Sequence, residues 1–456
     1  MKQSDKKRTT PFKSSIAFCL LLLQLLSGFR AGEIINEKTT MQLDSSLEVN
    51  ASKANPTLST STLQSAQSET ESQEQGECVN GGNEDNNSKK REVELREDEL
   101  KRLVGRLFVI GAPGKYADDL PEIYITALQA GELGGFIAYN YNVENKEQIT
   151  ALNKFLSENS PLGSSFMRFV DLEGGRINRL KDFISLASPK ELGRKIKEKK
   201  LNQTQLKKLY SKVGKQVAAC GFTMNLGPVV DLHDENCPVI GGLERSYSSD
   251  PSVVVECAQA FIEGFGQHGI TTCLKHFPGH GSSRGDTHED FVDVTKTFKN
   301  KELEPYKKLF KKGVKTAVMP AHVVNKKLDQ EGLPATFSKK IIANLLRKKL
   351  NFQGLIVSDA MDMGAIANNY DPVDVACNSL KVGVNVLIYS ANPAANKKQG
   401  IIHDQEGEIS LIEKAISVRD AIVSRILEGD QELLQAVQNS NEILRNMSNE
   451  NCSLKL

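Results

Sequence analysis

From Val93 onward, short runs that are apolar on both faces alternate with longer stretches whose apolar residues recur at helical spacing. The apolar runs are LFVIG (Leu107–Gly111), GGFIAYN (Gly134–Asn140), FMRFVD (Phe166–Asp171) and FTMNLGPVVD (Phe222–Asp231). They continue with TTCLKHF (Thr271–Phe277), TAVMPAH (Thr316–His322), GLIVSDAM (Gly354–Met361) and VNVLIYS (Val384–Ser390). Amphipathic stretches separate most of them, near Leu120–Ala130, Lys146–Ser157, Leu206–Cys220, Ser252–Gln267, Leu303–Lys312 and Lys339–Leu350. A strand without polar alternation is one buried on both sides, as in a parallel sheet covered by helices. Strands alternating with helices imply right-handed βαβ units.

Eight such units predict an α/β fold of the (β/α)8, TIM-like barrel type, with a doubly wound open sheet as the alternative. The polar residues favour the barrel. Asp171, Asn225, Lys275, His276, His322 and Asp359 all fall at or just past the C-terminal ends of their runs. A barrel gathers those ends at one mouth, whereas an open sheet spreads them along an edge.

The chain before Val93 is of another kind. Lys2, Lys6, Lys7, Arg8 and Lys13 precede the apolar run Ile16–Leu26. A basic start and an apolar run shorter than the roughly 20 residues of a membrane span predict an export signal over 1–32. Residues 33–92, rich in Ser, Thr, Gln, Glu and Asn, bury too little apolar surface to offset ordering and are expected to be a disordered linker. Export and a possible membrane or envelope association through the N-terminus follow as expectations. The 58 basic residues are matched by 57 acidic ones, which argues against a nucleic-acid partner. Eight cysteines without a Cys-x-x-Cys pair suggest neither a zinc knuckle nor a disulfide framework. A monomer is expected.

The densest chemistry lies in KHFPGHGSSRGDTHED, Lys275–Asp290. Its glycines and proline make it a loop. His276, His280, His288 and Asp286 could hold a metal, but the spacing is neither helical nor knuckle-like, and no cysteine or glutamate is placed to complete a tetrahedron. An acid/base reading fits better: Asp286, two residues from His288, can fix the imidazole tautomer and raise its basicity. Glu289 is a competitor for that role. Asp359, after a strongly apolar strand, is a candidate carboxylate nucleophile, and Asp362 reads as a rim carboxylate. Asp171, Arg176 and Arg179 in VDLEGGRINRL suit sugar hydroxyls. His322 fits either the rim or the pocket, and His280 and Pro278 shape the loop. The lysines of KKLFKKGVK and LRKKL read as solvated helix faces.

KHFPGHGSSRGDTH resembles the signature of glycoside hydrolase family 3, in particular its bacterial β-N-acetylglucosaminidases. VGRLFVIG, GGFIAYNYN, VDLEGGRINRL, NLGPVVDL, ERSYSSDP, LPATFS, GLIVSDAMDM and VGVNVLIYS resemble further family blocks in order, over roughly residues 95 to 450. The resemblance implies a single catalytic barrel over 93–456 with Asp359 as nucleophile, His288 as acid/base and Asp286 orienting it. Asp171, Arg179, Arg245, Lys275 and His276 would hold sugar. It implies a retaining exo-β-N-acetylglucosaminidase that releases terminal GlcNAc from peptidoglycan-derived or chitin-like oligosaccharides or muropeptides. No cofactor and no metal are implied. Leu172, where the subgroup often has Gln, and GGLE before Arg245 depart from the pattern and leave fine specificity open. A β-glucosidase, a β-xylosidase or a non-catalytic sugar-binding barrel are the alternatives. Residues Pro278 to Gly285 are expected to be a mobile arm. Many relatives with this loop act in the cytoplasm, against the exported reading of the N-terminus.

Overall fold

The computed structural model describes the backbone of residues 96–391 and 405–453, with side chains for 96–391 and 411–447; the predicted signal and linker lie outside these. All eight apolar runs contain a strand of one parallel sheet: β1 (Phe108–Ile110), β2 (Gly135–Ala138), β3 (Met167–Val170), β4 (Met224–Asn225), β5 (Thr271–Phe277), β6 (Ala317–Pro320), β7 (Val357–Ala360) and β8 (Val386–Tyr389). The order is β7-β8-β1-β2-β3-β4-β5-β6. The ends meet where Val318 bridges Ile356 and its N–H donates to Leu355 O at 2.9 Å, which closes the barrel. An open sheet is thereby excluded. β4 is short because Gly227 and Pro228 interrupt its run, and proline has no N–H for a ladder. Pairing resumes only at Val229, which bridges Lys275.

The helices form the outer ring. They are α1 (Glu122–Gln129), α2 (Lys146–Asn159), α3 (Pro189–Lys197), α4 (Gln203–Ala219), α5 (Pro251–Gly266) and α6 (Glu304–Lys311). After them come α7 (Lys340–Lys349, wound as a π-helix), α8 (Gly364–Ala367), α9 (Pro372–Val382), α10 (Gln405–Leu427) and α11 (Gln431–Ser453). Local chemistry starts several of them. Asn145, Asn202, Asp250 and Asp371 each accept a hydrogen bond from a first-turn N–H, and Pro251 and Pro372 occupy first helical positions. α4 and α5 pack so closely that a Cβ on Gly264 would lie 2.6 Å from Tyr210 Cβ. Tyr210, Phe261 and Phe265 interlock there, with ring centroids 4.4 to 6.2 Å apart.

Two irregularities aim side chains into the mouth. The β5–β6 register shifts between Lys275 and Phe277, and the β7–β8 register shifts between Val357 and Ala360. A bulge redirects the side chains around it. These two bracket His276 and Asp359, two of the polar residues predicted to reach the mouth.

Candidate active site

Eight of the residues singled out for the site line one cleft of about 170 Å³ at the C-terminal ends of the strands: Asp171, Arg179, Arg245, Lys275, His276, Asp286, His288 and Asp359; Arg176 and Glu289 are exposed and lie outside its lining. Glu173 and Tyr139, not singled out from sequence, line it too.

One wall is an ionic network. Glu173, fully buried just past β3, takes Arg245 Nε and Nη2 at 2.8 Å each and Lys275 Nζ at 2.8 Å. Lys275 Nζ also donates to Asp171 Oδ1 at 2.8 Å, and Arg179 Nη2 stands 3.7 Å from Asp171 Oδ2. Burial would raise the Glu173 carboxyl, but Arg245 and Lys275 outweigh it and hold the group well below the usual carboxylate range. Arg179 also lies over the Tyr139 ring, 5.6 Å from its centroid, within reach of a cation–π attraction.

The next wall hangs on Asp231. Its Oδ2 accepts from His276 N at 3.1 Å and stands 2.7 Å from His276 Nδ1, while Oδ1 accepts from His280 N at 2.8 Å. A carboxylate facing Nδ1 fixes the tautomer with the proton there and leaves Nε2, 3.4 Å from Arg245 Nη2, as an acceptor. Burial would raise Asp231, yet the imidazole of His276 facing it and the N–H groups of His276 and His280 leave its carboxyl below its ordinary value.

On the opposite side Asp359 and the tip of the histidine loop share the cleft. His288 Nδ1 lies 2.6 Å from Asp286 Oδ1, which also accepts His288 N at 2.9 Å. Partial burial would lower the imidazole; the bond to Asp286 and the charges of Asp359 and Asp286 prevail and raise it above its ordinary value. Asp359 moves the other way. Burial would raise it, but His322, His276 and His288 and the N–H of Ala360 draw it below the usual carboxylate value. The cleft thus favours the ionised form of one carboxyl and the protonated form of one imidazole, the separation of roles that acid/base chemistry requires.

The loop departs from the expected mobile arm. Gly279 to Ser283 are buried. His280 Nδ1 lies 2.9 Å from Ser283 Oγ and its Nε2 lies 3.3 Å from Thr287 Oγ1. Burial pushes His280 down to about 4, so it is neutral at physiological pH. Ser282 Oγ donates to buried Glu302 at 2.7 Å. Gly279, at φ +145°, lies so close that a Cβ there would be 2.7 Å from Glu302 Oε2. A glycine-rich stretch is here a packed root, because polar partners replace the hydrogen bonds of regular structure. Exposed chain begins at Arg284.

His322 belongs to the rim. Its Nε2 donates to Ala360 O at 2.9 Å and its Nδ1 faces Thr336 Oγ1 at 2.7 Å. The three histidines weighed as metal ligands turn instead toward Asp231, Ser283, Thr287 and Asp286. Cys220, Cys237, Cys257, Cys273 and Cys377 are buried and free. Glu173 and Asp231 had a legible signal: each is a carboxylate at or just past the end of an apolar run, as Asp171 is.

Residues 103–427 match the glycosyl hydrolase family 3 N terminal domain. A beta-hexosaminidase of Tolumonas auensis is 32% identical over 300 residues, which cover 61% of this chain and 85% of that protein. One of Chromobacterium violaceum is 34% identical over 270 residues, 57% of this chain and 72% of that protein. Among solved structures, a glycoside hydrolase family 3 beta-N-acetylglucosaminidase from Paenibacillus superposes with a TM-score of 0.66 at 24% identity, over 78% of this chain and 63% of that one. At that identity the superposition speaks for the fold alone. The match over 103–427 spans most of the described barrel and both walls of the cleft, and the chain belongs to glycosyl hydrolase family 3 as a glycoside hydrolase.

Proposed function

We propose that the protein removes terminal, non-reducing β-linked N-acetylglucosamine with retention, acting on peptidoglycan-derived or chitin-like oligosaccharides. The observation that carries this reading is that Asp359 and an Asp286-braced His288 share one cleft with the candidate sugar-holding residues, the carboxyl lowered and the imidazole raised from their ordinary values. Asp359 attacks the anomeric carbon as the bond to the leaving oxygen breaks, and a glycosyl ester forms. His288, whose Nδ1 is held by Asp286, delivers a proton from Nε2 to that oxygen. The neutral imidazole then takes a proton from water as the water attacks the ester, which frees the sugar and restores the carboxylate. The pair replaces the two carboxylates usual in retaining glycosidases. Asp171, Arg179, Arg245, Lys275 and His276 hold the sugar; preset by Glu173 and Asp231, they lose little freedom when it binds.

The beta-hexosaminidase names of relatives at 32 to 34% identity support the choice of N-acetylhexosamine. The basic, then apolar N-terminus supports export to the envelope or beyond. A panel of aryl β-glycosides tests the assignment: turnover should favour N-acetylglucosaminides over glucosides and xylosides. Asp359→Ala should abolish turnover of all leaving groups, and His288→Ala should spare only activated ones. Equal activity on glucosides, or an active Asp359→Ala, would overturn it.

A further inference from the structure

The tip that carries His288 is seated on the stretch of chain that directly follows β7 and Asp359. Gly364 N donates to His288 O at 3.3 Å and Ala365 N donates to Thr287 O at 3.1 Å. Two exposed amide side chains extend this contact. Asn368 Nδ2 donates to Glu289 O at 3.3 Å, and Asn369 Nδ2 donates to Asp290 Oδ1 at 3.1 Å. Asn369 Nδ2 also reaches Ala365 O at 3.3 Å and Gly364 O at 3.5 Å. A single amide therefore stitches the loop tip to the turn that receives it. Asp290 passes the constraint back along the loop, because its N–H donates to Asp286 O at 3.2 Å. From below, buried Thr287 is met by His280 Nε2.

We propose that Asn369, with Asn368, is a positioning residue of the hydrolysis, a clasp that sets where His288 stands relative to Asp359. The inference rests on the reading of His288 as proton donor. The loop root is fixed by Asp231, Ser283 and Glu302 and by Arg284 Nη2 donating to Asp234 Oδ2 at 2.9 Å, but five residues, of which only Thr287 is buried, separate Arg284 from Asp290. The tip needs its own anchor, and the structure supplies one from the same segment that carries the nucleophile. Both catalytic groups then refer to one short piece of chain. A misplacement of about 1 Å in such a pair is enough to cost about 100-fold in rate. The asparagine amide is specific here: a carboxylate at 369 would face Asp290 and two carbonyl oxygens with no donor to offer.

The test uses the full chain and two aryl N-acetylglucosaminides, one with an activated leaving group and one with a poor one. Asn369→Asp should lower kcat/KM for the poor leaving group about tenfold or more, and Asn369→Ala by about threefold to tenfold. The activated substrate should change less than twofold. Asn369→Asp/Asp290→Asn, which puts a donor back across the contact, should recover part of the loss. In a His288→Ala background, Asn369→Asp should add nothing. Equal loss on both substrates, no recovery in the exchanged pair, or an undiminished effect in the His288→Ala background would each overturn the clasp. Failure of the underlying reading is separate: His288→Ala itself would then show no dependence on leaving group.

Discussion

Glu173→Gln removes one negative charge and changes little else in shape. In the wild type that carboxylate faces Arg245 twice and Lys275 once, all at 2.8 Å, with no exposed side-chain surface. The variant leaves two cations in the wall with Asp171 as the remaining acid in contact with Lys275. Breaking a buried pair by deleting one partner costs about 3–5 kcal/mol, mostly as uncompensated buried charge. Unfolding entropy near 2.1 cal/mol/K per residue over the 325 residues of 103–427 amounts to about 0.7 kcal/mol/K. Tm should therefore fall by about 4–7 °C in a calorimetric scan. The pH dependence has a fixed sign. A carboxyl lowered in the fold contributes stability that is full above its unfolded value, 4.5, and is lost as pH falls below it. The gap between wild type and variant should thus be widest near neutral pH and narrow below about pH 4.5. Glu173→Met/Arg245→Met, which removes charge on both sides, should lose less than the two single changes added together. A drop below about 1 °C, or a gap that widens in acid, would refute the claim that this network holds the wall together.

Further outcomes follow from the same geometry. Asp286→Asn removes the partner that raises His288, so the alkaline limb of kcat/KM against pH should move down, with the acid limb left in place. Asp231→Asn frees the His276 tautomer and should raise KM about tenfold for activated and poor leaving groups alike, because it acts on the sugar-holding side. His322→Ala leaves Ala360 O without its buried donor beside the nucleophile strand, and should cost about 1–3 kcal/mol by denaturant unfolding along with a lowered kcat.

The barrel was legible because each strand is apolar on both faces, a pattern that only a helix-covered parallel sheet explains. The mouth was legible for a related reason: a polar residue at the end of an apolar run has only one place to go. The same rule, pressed further, reaches Glu173 and Asp231, each at or just past the end of its run. The loop was misread because glycine content reports what the backbone can do, not what surrounds it. Gly279 is there for close approach to Glu302, and the burial of His280 depends on Asp231, nearly fifty residues away in sequence. The clasp was invisible for the same reason: Asn368 and Asn369 look like surface residues until the loop is folded onto them.

Asp359 and Asp362 stand three residues apart at the same rim, and hydrogen bonding separates their roles. Asp362 is committed to the end of β8: it accepts Ser390 N at 2.9 Å, Ser390 Oγ at 2.8 Å and Ala391 N at 3.0 Å. Among the described hydrogen bonds, Asp359 accepts one, from Ala360 N at 2.9 Å. A carboxylate with three donors has spent its lone pairs on holding the fold, and attack on carbon would have to break those bonds. A carboxylate with one donor keeps an oxygen for chemistry and bears its burial through nearby imidazoles and that single N–H. The two isosteric changes should therefore diverge. Asp362→Asn turns an acceptor edge into a donor facing donors, and should lower Tm while kcat stays within about tenfold of wild type. Asp359→Asn should abolish turnover and leave Tm unchanged or raised, since a strained, charged site commonly costs stability. The reverse pattern, a stable and inactive Asp362→Asn beside an unstable and active Asp359→Asn, would move the nucleophile three residues along the chain.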